Sequence, residues 1–209
     1  PVILGGDHSI AAGSIAAVSK RHSGNIGVIW IDAHGDWNSE ESTCTGNMHR
    51  MPFSAVCGYG PDCMVEFGQG AAPVNVAHCV QVGGRDIDDL ERQRMAQAGV
   101  TVFPINMIDK LGMGAVIERA IQIAGEGTDG IHLSFDVDAI TPEAVPGTGV
   151  IVYNGLTPRE AFLAAEAIAE SRKLISMDMV EVNPFLATAN KSGILASELI
   201  QSALGKSVY

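Results

Sequence analysis

The sequence predicts an α/β fold of three αβα layers around a mainly parallel sheet. Three observations carry that expectation. Short apolar, β-branched runs alternate with longer amphipathic stretches, the runs are apolar throughout rather than at every second residue, and most stop at glycine or aspartate. Strands of that kind are covered on both faces, and helices are the usual cover. A length of 209 residues suits one such domain, 1–209. The chain opens at Pro1, directly in a strand and without Met, which reads as the start of a trimmed piece.

The elements follow in order. Val2-Ile3-Leu4 is a strand stopped by Gly5-Gly6, and an Ala-rich helix runs from His8 to about His22. Gly27 to Ile31 is a strand ending at Asp32, and Cys79 to Val82 is one leading to Gly83-Gly84-Arg85-Asp86. A charged helix covers Asp88 to Ala98, Thr101 to Ile105 is a short strand, and Met107 to about Gly125 is a helix. Ile131 to Phe135 is a strand ending at Asp136. Thr157-Pro158-Arg159-Glu160 supplies an N-cap, an N1 proline and an early acid, opening a helix whose apolar face holds Phe162, Ala165, Ile168 and Ala169. Leu174 to Val182 is a strand, and Ser192 to about Leu204 a closing helix.

Charge and composition narrow the function. A net charge of -11, from 13 basic and 24 acidic residues, argues against nucleic acid or an anionic membrane as partner. No apolar run reaches the ~18 residues that cross a bilayer, and no basic-then-apolar leader precedes the first strand. Cys44, Cys57, Cys63 and Cys79 form no CxxC pair, so free thiols in a reducing cytoplasm are expected.

Parallel sheets bind ligands beyond the carboxyl ends of their strands, and the chemistry-bearing residues fall there. Asp32-Ala33-His34-Gly35-Asp36 leaves one strand with three donors at alternate positions. Read alone, a polar turn using Asp as turn former and helix cap is the lesser alternative. Asp136-Val137-Asp138 ends another strand, and two carboxylates that close repel unless a cation lies between them. Gly5-Gly6-Asp7-His8-Ser9 follows the first strand, where a single His is more often structural than ligating. Together the three strand ends offer His8, Asp32, His34, Asp36, Asp136 and Asp138. Carboxylate and imidazole without thiolate favour a fairly hard octahedral ion, manganese before zinc, with cobalt or nickel as substitutes. Two such ions can share a water and make it hydroxide near neutral pH.

Gly-Gly-Asp-His-Ser, Asp-Ala-His-Gly-Asp, Ser-Phe-Asp-Val-Asp and Val-Glu-Val-Asn-Pro, in this order, resemble the ureohydrolases, the family of arginases and agmatinases, and bacterial arginases most. The resemblance covers essentially the whole chain. It implies an arginase-like fold lacking the family's N-terminal portion, and hence a sheet edge left open. It implies two Mn2+: one on His8, Asp32, Asp36 and Asp136, the other on His34 and Asp138 with Asp32 and Asp136 bridging. It further implies hydrolysis of arginine to ornithine and urea by a metal-bridging hydroxide, and a homo-oligomer, trimer or hexamer. Asn38, Thr45, Asn47 and Asp88 would grip the amino-acid end of the substrate, Glu181 would hold the guanidinium, His49 would relay protons, and Asp36 would assist the intermediate. Asp88 could instead be a helix cap, and His49 a solvated loop residue. Asp178 receives no role.

Four positions depart from the arginase pattern: Arg50 for Gly, Val150 for Thr, Thr141 for Asp and Thr45 for Ser. They bear on which guanidino compound is the substrate, with agmatine or another guanidino acid as alternatives to arginine. From another class, an inactive metal-binding relative or scaffold would carry the same ligands.

Overall fold

Every residue of β2 (Gly27–Ile31), β3 (Cys79–Val82) and β5 (Ile131–Asp136) is buried, as strands covered on both faces require. The computed structural model describes residues 1–66 and 70–206. It adds β1 (Val2–Leu4), β4 (Thr101–Phe103) and β6 (Leu174–Val180) to the same sheet. The order is β1-β6-β5-β2-β3-β4, with every pairing parallel.

The helices are α1 (Ile10–Arg21), α2 (Pro52–Val56), α3 (Asp62–Val65), α4 (Asp89–Ala98), α5 (Ile105–Leu111), α6 (Met113–Gly125), α7 (Pro158–Ser171) and α8 (Lys191–Ala203). Strand alternation divides the core in two. Ile29, Ile31, Val80, Val82, Leu133 and Phe135 cluster with side chains of α6, α7 and α8. Val28 and Trp30 cluster with Ala11 and Ile15 of α1, Phe53 and Val56 of α2, and Met95 of α4. Three αβα layers result. A Cβ on Gly27 would stand 1.9 Å from the carbonyl oxygen of Ala124, so α6 lies on β2 only because that side chain is missing.

Some boundaries differ from the sequence reading. The helix expected from Met107 is two helices, because Gly112 has φ 80 and breaks the ladder. β4 stops at Phe103, since Pro104 cannot donate to a ladder and instead begins α5. β6 stops at Val180, because Glu181 turns away with φ 59. The short helices α2 and α3 were not anticipated.

The topology places a site. β2 and β5 are neighbours, yet the chain leaves β2 toward β3 on one side and leaves β5 toward β6 on the other. Right-handed crossovers carry those two connections over opposite faces, opening a crevice at the carboxyl ends of β2 and β5. Among the described residues no helix is long and apolar enough to cross a membrane.

Candidate metal centre

Ile31 pairs with Phe135 across the β2–β5 ladder, so the residues that follow, Asp32 and Asp136, leave the sheet side by side. His8 arrives from the turn between β1 and α1. Its Nδ1 lies 3.1 Å from Asp32 Oδ2, Asp36 Oδ2 and Asp136 Oδ2 alike. His34 Nδ1 lies 3.3 Å from Asp32 Oδ1 and 3.1 Å from Asp138 Oδ2. Two groups, His8–Asp32–Asp136 and Asp32–His34–Asp138, each keep their donor atoms within 4.8 Å of one another. Asp32 belongs to both, turning one oxygen to each. All six predicted ligands are therefore brought together and buried.

These residues fit divalent cations. His8 Nδ1 is buried and has no hydrogen-bond partner among the described residues, although three carboxylate oxygens surround it. A lone pair facing three anionic oxygens is repulsive unless positive charge sits among them. Four carboxylates and two imidazoles form an oxygen-rich set without thiolate, suited to a hard ion.

The titration behaviour has the same origin. Burial pushes Asp36 up to about 8, with the charge of Asp32 adding to it. Burial, and then Asp138 and Asp32, likewise raise Asp136 well above the carboxylate range. Burial opposes charge on His34, yet hydrogen bonds to Asp138 and Asp32 push it up to about 12. His8 is raised in the same manner, against burial, by Asp136, Asp32 and Asp36. Protons thus occupy the position that a cation's charge would fill.

The flanking residues stand as follows. Glu181 Oε1 accepts the backbone N–H of His8 at 2.8 Å, and burial raises its carboxyl. His49 sits in a single 3-10 turn, Met48–Arg50, with Nδ1 3.3 Å from Asp7 Oδ2. Thr45 and Asn47 are exposed, and Thr45 Oγ1 accepts the Asn47 backbone N–H at 3.2 Å. Asp88 caps α4 in a capping box with Glu91, so the cap reading is realised, while its buried Oδ2 has no partner among the described residues. Asn38 is fully buried. Its Nδ2 donates to Glu91 Oε1 at 3.1 Å and its Oδ1 accepts from Ser42 at 2.8 Å, which ties the amide into the loop.

The sequence profile of the arginase family matches residues 1–205. The chain belongs to the arginase family. Arginase of Bacillus caldovelox is 41% identical over 206 residues, which are 99% of this chain and 69% of that protein. Arginase of Staphylococcus aureus (strain COL) is 43% identical over 210 residues, 100% of this chain and 68% of that one. The crystal structure of arginase from Bacillus cereus superposes with a TM-score of 0.96 at 42% identity, covering 100% of this chain and 72% of the other.

In this arginase-family chain a row of side chains beneath the ligands went unread in the sequence. Gln81, Trp30, Ser134 and Asp178 are consecutive partners across β3, β2, β5 and β6 and lie on the α1 face. Trp30 Nε1 donates to Asp32 Oδ2 at 2.9 Å, and its ring stacks between His8 and Phe53. Gln81 Nε2 donates to the carbonyls of Asp32 and His34, both at 3.0 Å. Glu91, buried on α4, accepts from the Trp37 backbone at 2.8 Å as well as from Asn38. Burial pushes its carboxyl up to about 7 against the pull of the Trp37 N–H. The available signal was position: Trp30 and Ser134 each stand two residues before a ligand, on the same strand face.

Proposed function

We propose that this chain hydrolyses the guanidino group of L-arginine to ornithine and urea, using two manganese ions. The observation that carries the reading is the pair of donor groups sharing Asp32, with His8 Nδ1 unpartnered among carboxylates. One ion would rest on His8, Asp32, Asp36 and Asp136, and the other on His34 and Asp138 with Asp32 and Asp136 shared. Bound there, the ions supply Lewis-acid activation of water near neutral pH.

The chain's own groups do the rest. Glu181 holds one face of the guanidinium by paired charge-assisted hydrogen bonds, its other oxygen already fixed by the His8 backbone. His49, with Nδ1 turned to Asp7, keeps Nε2 for protonating the departing amine and returning protons to solvent. Asp36 accepts a proton within the cluster. Thr45 and Asn47 offer amide and hydroxyl donors to the substrate carboxylate, Asp88 Oδ2 meets the amino group, and Asn38 holds the loop that carries them. Gripping that remote end positions the reacting carbon. A cytoplasmic homo-oligomer, trimer or hexamer, is the setting we propose with this chemistry.

Urea release with Mn2+ across arginine, agmatine and 4-guanidinobutyrate tests the reading, with arginine expected to be the best substrate. A protein that takes up metal and releases no urea from arginine overturns it. A metal-loaded protein silent on all three would stand instead as a binding or scaffold relative.

A further inference from the structure

We infer that Asp178, acting through Ser134, sets which nitrogen of His8 carries a proton and thereby the metal affinity of the His8 group. The inference rests on the metal-centre reading above, and it makes Asp178 a positioning residue two hydrogen bonds away from the ion.

Hydrogen-bond direction carries the argument. An ionised carboxylate only accepts. Asp178 Oδ1 accepts from the Ser134 hydroxyl at 2.5 Å. Its Oδ2 sits 2.6 Å from the Ser14 hydroxyl and 2.9 Å from His132 Nε2. Ser134 has one hydroxyl proton, and Asp178 takes it. Toward His8 Nε2, 2.8 Å away, Ser134 Oγ can then only accept, so Nε2 must carry the hydrogen. When the ring gives up its second proton to ligate, the lone pair therefore appears on Nδ1, the atom that faces Asp32, Asp36 and Asp136. Were Ser134 free to donate, the other tautomer would aim an N–H at the same three oxygens and compete with a cation.

Two features make the chain of bonds one-way. His8, Ser134, Asp178 and His132 are all at most 1% exposed, so no water takes over a bond and reverses its sense. The His8 ring is stacked on Trp30 at 4.2 Å and 11°, which opposes a ring flip that would put carbons in the places of both nitrogens. His34 has no comparable arrangement: its Nε2 lies 3.5 Å from Asp86, whose side chain is 56% exposed. Loss of the Asp178 bond therefore acts on one donor group and spares the other. Carboxylates that orient a ligating imidazole commonly account for 10–100-fold in metal affinity.

The experiment is a chelator-buffered Mn2+ titration of the full chain, read by bound metal and by melting of the metal-free form. The unaltered chain is expected to bind two ions, and binding none would remove the metal centre itself. Asp178→Asn and Ser134→Ala should each weaken one of the two ions by ~10–100-fold and leave the other at its original affinity. Ser134→Thr keeps the hydroxyl and should bind as the unaltered chain does. If Asp178→Asn fails to fold, the Ser134→Ala and Ser134→Thr pair decides alone. The inference falls if both ions weaken together with a lower melting temperature of the metal-free form, which marks a merely structural role. It falls equally if neither variant changes affinity.

Discussion

Free metal should raise the melting temperature of this protein with a slope that counts the ions. Two donor groups that share Asp32 exist only in the folded chain, because His8, Asp32 and Asp136 come from three distant segments. An ion bound to the folded state alone adds ~1.4 kcal/mol for every tenfold rise in its free concentration above the dissociation constant. For a chain of this size ~1 kcal/mol moves the midpoint by about 2–4 °C. One ion therefore gives a slope of roughly 3–6 °C per decade, and two ions about twice that. The slope needs no knowledge of the dissociation constants, which makes it a sharper test than the shift. Differential scanning calorimetry in Mn2+ buffered by a chelator measures it. His8→Ala, which removes a donor from the His8 group and none from the His34 group, should bring the slope to the one-ion value. A flat line would refute the metal centre, and a one-ion slope in the unaltered chain would refute its binuclear form.

Three further outcomes follow from the same geometry. Trp30→Phe keeps the stack on His8 but deletes the N–H given to Asp32, and should weaken metal binding by ~10-fold, read by chelator competition; unchanged affinity would show that Asp32 needs no such support. His34 is held up to about 12 and Asp36 up to about 8 in the metal-free site, and both must shed protons to ligate, so uptake should strengthen as pH rises and release protons to the medium. Calorimetric titration in buffers of different ionisation enthalpy counts those protons, and pH-independent uptake would contradict the sign. His49→Ala should lower turnover by ~10²–10⁴ with metal content intact; loss of metal on elemental analysis would remove His49 from the acid–base role.

The candidate ligands were legible because most of them follow one another locally. Asp32, His34 and Asp36 alternate as the backbone leaves β2, and Asp136 and Asp138 do so after β5, so apolar strand and following acids form one readable pattern. The supporting row was not legible, because Ser134 and Asp178 acquire meaning only through the register that pairs them across β5 and β6. Nothing in the spacing of one strand says what its neighbour carries. The break at Gly112 escaped for a related reason: the apolar period on either side suits one helix, and only the positive φ separates two. Between Trp37 and Met51 the chain lacks any period, so its packing under Glu91 was likewise out of reach.

Asp36 and Glu181 adopt left-handed backbone, with φ 48 and 59, where glycine would rest at ease. Such a conformation costs on the order of 1–3 kcal/mol in a residue with a side chain. The two positions are therefore places where chemistry and durability pull apart. Asp36→Gly would give a sturdier metal-free chain and an inert one, while Glu181→Gly would gain less, since it also deletes the acceptor of the His8 backbone N–H. Selection for thermal endurance alone would drift toward those glycines, and selection for turnover would restore the acids.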